Sequence, residues 1–367
     1  MNVSKNHFPW LDLIRFLAAF TVLFVHARHY SFVDYGLLPT DQKNLLVAGI
    51  YAISRIGGEA VIMFFVLSGF LVGGVAAVRI REGSFRIADY TIDRLTRIML
   101  PLIPALILAA IITRLIGGGF EFGSFIGNIL SLQGVLVPVF GGDAPLWSLA
   151  YEVWFYILIA GFGLLAYQGS RLLLGILLII LFMAVFTKLA AVYWFCWLIG
   201  AIAFVYRPLR FSWNSMISSV LLTVISIVLV ELASPSDSLK VPGWYVFLPS
   251  LDLSKLMLAI GMALFIQQIL LAPPRNEITT GVNSLGTNLA ASAYTLYLTH
   301  YPLLQLGEYL GVKRAESISL IGVGVFLSEI IGCLIVAWVI YWLFEKRTTE
   351  VRRWIKSKSI FSCHEKC

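Results

Sequence analysis

Arg15 and His26 lie eleven residues apart in the apolar run LDLIRFLAAFTVLFVHARHY. At about 100° per residue, eleven steps bring a helix back to within roughly 20° of its starting face, and at ~1.5 Å per residue the two side chains stand about 16 Å apart along it. An ionisable group in a membrane-length apolar helix must face protein or water and find a partner, so the pair reads as a functional site. A buried arginine that merely bonds an acid or a carbonyl is the structural alternative. A histidine with a pKa near about 6.5 is available as a neutral general base. Arginine can hold phosphate, balance a carboxylate or stabilise an oxyanion. The separation of about 16 Å argues against the oxyanion role for Arg15 if His26 is the base.

Three further constellations carry polar chemistry. Arg94 and Arg97 in RLTRIMLP share a helical face beside an apolar run. Two planar guanidinium forks suit a phosphorylated cofactor, and anchoring to anionic lipid is the plainer role. In PLWSLAYEVWFY, Glu152 has Ser148 four residues earlier on its face and Trp147 at the expected interface. Arg15 or His26 is its expected countercharge. In NLAASAYTLYLTHYPLL, aromatic belts explain Tyr294, Tyr297 and Tyr301 but not His300, which adds a polar group at about the depth of His26. Ser68, Gly69, Gly73 and Gly74 in FFVLSGFLVGG permit close helix packing or the approach of a ligand chain. His29, one turn beyond His26, is expected to be solvated.

The elements that position these groups follow from composition. Of 367 residues, 59% are hydrophobic and 13% charged, against a globular average of roughly 25% charged. The expected fold is all-α, a polytopic integral membrane helical bundle of about ten transmembrane helices. Apolar windows run near 10–30, 59–78, 98–116, 146–167, 171–187, 190–206, 215–233, 254–272, 288–306 and 318–344. No hydrophilic block is long enough to fold separately, so residues 1–346 read as one transmembrane domain and 347–367 as a basic tail. The first run is full spanning length, carries an arginine and lacks a small-residue cleavage site, unlike a removable signal peptide.

The net charge of +7, from 27 Lys and Arg against 20 Asp and Glu, sorts by membrane side and does not build a nucleic-acid surface. Most of the basic residues fall in connectors that are cytoplasmic if both termini are. Connectors 31–58 and 117–145 are then outer and long enough to shape an entrance. No equal halves with Gly/Pro-broken spans, the pointer to an alternating-access transporter, are visible. Cys196, Cys333, Cys363 and Cys367 follow no metal-ligand spacing, although Cys363, His364 and Cys367 weakly suggest metal binding or lipidation. No metal is expected.

Taken in order, LDLIR with His26, FFVLSGF, RLTRIMLP, LWSLAYEVWFY, YTLYLTHYPLL and a final FEK resemble acyltransferase family 3, integral membrane proteins that O-acylate bacterial surface carbohydrates. The likeness runs from residue 10 to about 346. It implies a ten-helix enzyme of the bacterial cytoplasmic membrane that takes acyl-CoA, usually acetyl-CoA, from the cytoplasm and modifies a sugar hydroxyl. The implied partners are acyl-CoA, a free or lipid-linked carbohydrate acceptor and membrane lipids, with no nucleic acid. His26, Arg15 and Glu152 become catalytic candidates. Arg94, Arg97, Arg15 and Ser68 become donor-binding candidates, and His300, Trp147, Ser148 and Tyr297 acceptor-binding ones. His26 serves as base or accepts the acyl group itself, and Arg15 lines the pantetheine path or pairs with Glu152. Arg347 stands where proline often follows the FEK-like sequence, and Tyr151 precedes a single Glu152 where many relatives have paired acids. The second departure bears on the role of Glu152. No esterase-like domain follows the last span, so the expectation is a stand-alone form that transfers directly or hands the acyl group to a partner. The competing classes are a transporter or exporter of a small anionic or acylated metabolite, and a structural scaffold.

Overall fold

Apolar runs in a bilayer leave backbone amides no partners but one another, so they wind into helices. The computed structural model describes residues 9–166, 171–234, 249–272 and 277–358, and among these it contains helices and short turns but no strand. The chain is an all-α, polytopic integral membrane protein. Seven segments are long and apolar enough to span: Trp10–Ser31, Gly57–Arg81, Ile87–Leu115, Ala144–Leu165, Trp213–Ala233, Leu251–Ile269 and Leu320–Lys358. The other three expected spans correspond to shorter helices, Arg171–Phe186 (α8, 16 residues), Ala191–Val205 (α9, 15 residues) and Ala293–Tyr309 (α13, 17 residues). Hydropathy finds apolar length but not helix ends. Thus α5 (Ile87–Leu115) starts eleven residues before its apolar window, includes Arg94 and Arg97, and runs through Pro101 and Pro104. The window at 288–306 is divided between α12 (Glu277–Ala290) and α13.

The helices form two compact units. The first comprises residues 1–75, 191–293 and 310–331. It contains α1 (Pro9–Ser31), α2 (Leu45–Ile53), α3 (Gly57–Ser68), α9, α10 (Trp213–Ala233), α11 (Leu251–Ile269) and α12. After Ser68 the backbone widens into a π-helical turn, Gly69–Gly74. Here α3 and the turn lie against α9 with almost no space between backbones. A Cβ on Gly69 would fall 1.9 Å from the Trp197 carbonyl oxygen, and one on Gly200 2.1 Å from that of Val66. These atoms are main chain and cannot swing aside. Gly69→Ala and Gly200→Ala should therefore each destabilise the protein by about 1–3 kcal/mol, the usual cost of overpacking. Gly49→Ala, in α2 with nothing within 4 Å of the new methyl, should stabilise by about 0.5–1 kcal/mol. Unfolding midpoints in detergent check the contrast, and equal midpoints for all three variants would refute the close approach.

The second unit comprises residues 76–190, 294–309 and 332–367. It holds α5, α6 (Phe122–Ile129), α7 (Trp147–Leu165), α8, α13, the later part of α14 (Leu320–Leu343) and α15 (Thr348–Lys358), with α4 (Val75–Arg81) leading into it. The expected long connector at 117–145 is packed, since short helical turns and buried polar side chains satisfy its backbone. Asn128 Nδ2 donates to the Ser124 and Pro138 carbonyls at 2.8 and 2.9 Å, and its Oδ1 accepts from Phe140 N at 3.2 Å. Gln133 Nε2 donates to Leu146 O at 2.9 Å, and Trp154 Nε1 to Ser131 O at 3.0 Å. Residues 348–358 of the expected tail form α15, which packs on α5. Residues 359–367, with Cys363, His364 and Cys367, lie outside the described residues, as do Lys5, Lys240 and Arg275.

Asp143 closes this connector. It is 1% exposed, and its Oδ1 has no hydrogen-bond partner among the described residues. Burial pushes its carboxyl well above the usual carboxylate range. The folded protein then keeps a proton that the unfolded chain releases above about pH 4, so this group's contribution to stability is lost as pH rises from there toward the folded-state pKa. Asp143→Asn has no such proton to lose. Its melting temperature relative to wild type should rise between pH 5 and pH 8, and a difference constant across that range would show that Asp143 is ionised.

Candidate active site

In the first unit, α1 carries the helix-one pair. Arg15 Nη1 lies 2.8 Å from Asp12 Oδ1, one turn earlier on the same helix. His26 is half-buried and His29 exposed. Two residues beyond His26, the buried Arg28 fixes the end of α1. Its Nε donates to Ser54 Oγ at 3.0 Å, its Nη1 to Asp34 Oδ1 at 3.2 Å, and its guanidinium lies 5.2 Å from the Tyr51 ring centroid. The Tyr51 hydroxyl donates to Val33 O at 2.9 Å. The connector at 31–58 thus grips the helix immediately after the histidine through Arg28, a role that no spacing in the sequence announces. Ser68 accepts from Trp197 Nε1 at 3.3 Å, at the entry to the glycine-rich contact.

In the second unit, α5 and α7 bring Arg94 and Glu152 to the same tyrosine. Ser148, Glu152 and Tyr156 recur at intervals of four on α7, so they share a stripe. The Tyr156 hydroxyl donates to Glu152 Oε1. The Arg94 guanidinium stands 5.5 Å from the Tyr156 ring centroid and 6.0 Å from that of Tyr90, whose hydroxyl donates to Tyr156 O at 3.3 Å. Arg94 Nε is buried and has no hydrogen-bond partner among the described residues. Arg97 is engaged differently: its Nη1 lies 2.7 Å from Glu345 Oε1, and its guanidinium 5.6 Å from the Tyr294 ring centroid. Thr295 donates to the other Glu345 oxygen at 2.6 Å. Glu345, in the FEK sequence after α14, therefore joins α5 to α13. A guanidinium has five N–H donors, so the carboxylate leaves Arg97 with others for an anion.

The expected acceptor-side residues are also gathered by this unit. Tyr297 donates to Pro145 O at 3.0 Å, and its hydroxyl lies 2.7 Å from Ser148 Oγ. His300 is fully buried, its ring centroid 6.0 Å from that of Tyr297. His300 Nδ1 is 3.0 Å from the Leu296 carbonyl, which can only accept, so Nδ1 carries a proton. Trp147 is half-buried and packs edge-on to Tyr151 at 5.5 Å. Ser148 and Tyr297 thus join α13 to the start of α7, while His300 bonds within α13.

The arrangement offers a stacked arginine beside a carboxylate–phenol pair in one unit, and a half-buried imidazole on a pinned helix in the other. The first suits an anion and the second proton transfer. The model of the acyltransferase 3 family, an acyltransferase domain, matches residues 8–342. The chain belongs to acyltransferase family 3. It is a membrane acyltransferase. Comparison with curated proteins and with solved structures finds no match. In this family 3 acyltransferase, sequence reasoning missed Tyr90, Tyr156, Thr295 and Glu345. Tyrosine near a membrane surface is ordinary, and the acid of FEK carried no sign that a partner lay 248 residues away. A signal for Tyr156 was present, since it repeats the spacing of four that relates Ser148 to Glu152.

Proposed function

We propose that this acyltransferase moves an acyl group, acetyl in the simplest case, from cytoplasmic acyl-CoA to a hydroxyl of a cell-surface or lipid-linked carbohydrate, such as an exopolysaccharide, O-antigen or oligosaccharide. The enzyme would sit in the bacterial cytoplasmic membrane with both termini inside. The observation that carries the donor half is Arg94, stacked between two tyrosines with an unsatisfied Nε. A cation held ready for an anion suits a phosphate of CoA. Arg97, with donors to spare beyond Glu345, would join it, and Arg15 and Ser68 would also contribute to donor binding.

At the thioester, neutral His26 removes the proton from the acceptor hydroxyl as its oxygen attacks the acyl carbon. The tetrahedral intermediate then collapses, the C–S bond breaks, and the thiolate of CoA leaves with a proton returned to it. Glu152, held by Tyr156, would balance the charge of the arginines in its own unit, and Trp147 and His300 would contribute to binding the acceptor. The test is incubation of membranes with radiolabelled acetyl-CoA, followed by separation of the carbohydrate fraction. Label in carbohydrate supports the reading. Absence of label from acetyl-, succinyl- and longer acyl-CoA donors would overturn it and leave carriage of a small anion as the better account.

A further inference from the structure

The end of the second unit where α5 begins holds cations beyond the two arginines of RLTRIMLP. Helix α15 carries Arg352, Arg353, Lys356 and Lys358 against the single acid Glu350. Arg352 and Lys356 are four residues apart and share a stripe, and this stripe faces α5. Arg352 Nε lies 3.1 Å from Asp93 Oδ1. Lys356 Nζ lies 3.1 Å from the same oxygen and 2.8 Å from Asp89 Oδ1. Asp93 immediately precedes Arg94, so the two α15 cations stand at the turn of α5 that presents the donor-site arginine. The four side chains are 26–38% exposed, while Asp93 Oδ1 and Arg352 Nε are themselves buried and make no hydrogen bond among the described residues, so that pair is close in distance but poorly aligned. Ion pairs of this kind contribute only about 0–1 kcal/mol each and are readily exchanged. Helix α15 also lies beyond the residues that the family model matches, which end at 342.

We propose that α15 completes the donor site: Arg352 and Lys356 exchange Asp93 and Asp89 for phosphate groups of bound acyl-CoA. The proposal rests on the donor reading above. A 3′-phosphate and a diphosphate together carry more charge than Arg94 and Arg97 balance, particularly with Arg97 already facing Glu345. Charge-assisted bonds to phosphate are about twice as strong as neutral ones, so the exchange favours the ligand. A lipid headgroup offers the same phosphate chemistry, and the test separates the two sources.

The measurement is calorimetric titration of CoA into the full-length protein in phosphatidylcholine nanodiscs, which needs no acceptor. Combined Arg352→Gln and Lys356→Gln should weaken CoA binding about tenfold, the effect of losing one good charge-assisted contact. Binding of 3′-dephospho-CoA should change less. Combined Asp89→Asn and Asp93→Asn, which removes the competing carboxylates, should tighten CoA binding, an opposite result that a folding defect cannot imitate. If Arg94→Gln weakens CoA binding and neither α15 variant nor aspartate variant changes it, α15 is a brace only and the proposal fails while the donor reading stands. If wild type does not bind CoA, both fail. If the glutamine pair leaves CoA binding intact but loses affinity for phosphatidylglycerol vesicles, the cations take lipid phosphate and the proposal is overturned.

Discussion

His26→Ala should reduce acyl transfer to carbohydrate by about 10²–10⁴-fold, the range over which a positioned general base contributes. The loss should appear in kcat, with CoA affinity unchanged, because the proposed phosphate ligands are on α5 and α15. Folding should be preserved. Histidine 26 is only half-buried, and Arg28 and its partners Ser54, Asp34 and Tyr51 hold the end of α1 independently of it. Initial rates with labelled acetyl-CoA, together with an unfolding midpoint for the variant, test both points. Wild-type transfer by the alanine variant would remove His26 from the chemistry. Label trapped on the protein when acceptor is withheld would identify the imidazole as an acyl carrier in place of a base.

The second large effect is on stability and is asymmetric. Glu345 is 3% exposed and is held by Arg97 and Thr295. Arg97→Ala removes the cation that pairs with that carboxylate and leaves a buried acid with the Thr295 hydroxyl donor. Breaking a buried pair in this way costs about 3–5 kcal/mol, and the 37% exposure of the Arg97 side chain admits water and places the expectation near the lower end, about 3 kcal/mol. Glu345→Gln keeps an acceptor for Thr295 and leaves Arg97 with the Tyr294 ring and water, so its cost should be about 1 kcal/mol. Denaturation of each variant in mixed micelles compares them. Equal losses would mean that shape, and not the burial of charge, makes Glu345 important.

How much of this was legible beforehand depended on the range over which each feature acts. The all-α membrane fold follows from apolar runs, and the family from motifs that are local in sequence. Arg94 and Arg97 were recognisable because three residues separate them. Arg15 was expected to seek a countercharge in a distant span. In the first unit it pairs with Asp12, one turn away, a local partner that reasoning about buried charges passed over. The glycines after Ser68 correctly suggested close approach, but no pattern of side chains announces that the backbone will change to a π-helical turn. Glu345 and Asp143 could not be singled out. Their roles come from which helices pack together, and hydropathy carries no information on that pairing. The window method also could not see that α5 starts well before its apolar core, since its first three turns are amphipathic.

A short helix with an outward apolar face carries a consequence for the membrane itself. Helix α8 has 16 residues, about 24 Å at ~1.5 Å per residue, against a hydrocarbon core of roughly 30 Å. Arg171 and Lys188 bracket it, and Leu173, Leu177, Ile180 and Leu181 point outward. Such a mismatch is met by thinning of the surrounding bilayer or by snorkelling of the flanking cations, at a fraction of a kcal/mol per Å. For an enzyme whose proposed donor and acceptor approach from opposite aqueous phases, any such thinning leaves the thioester that much less hydrocarbon to cross.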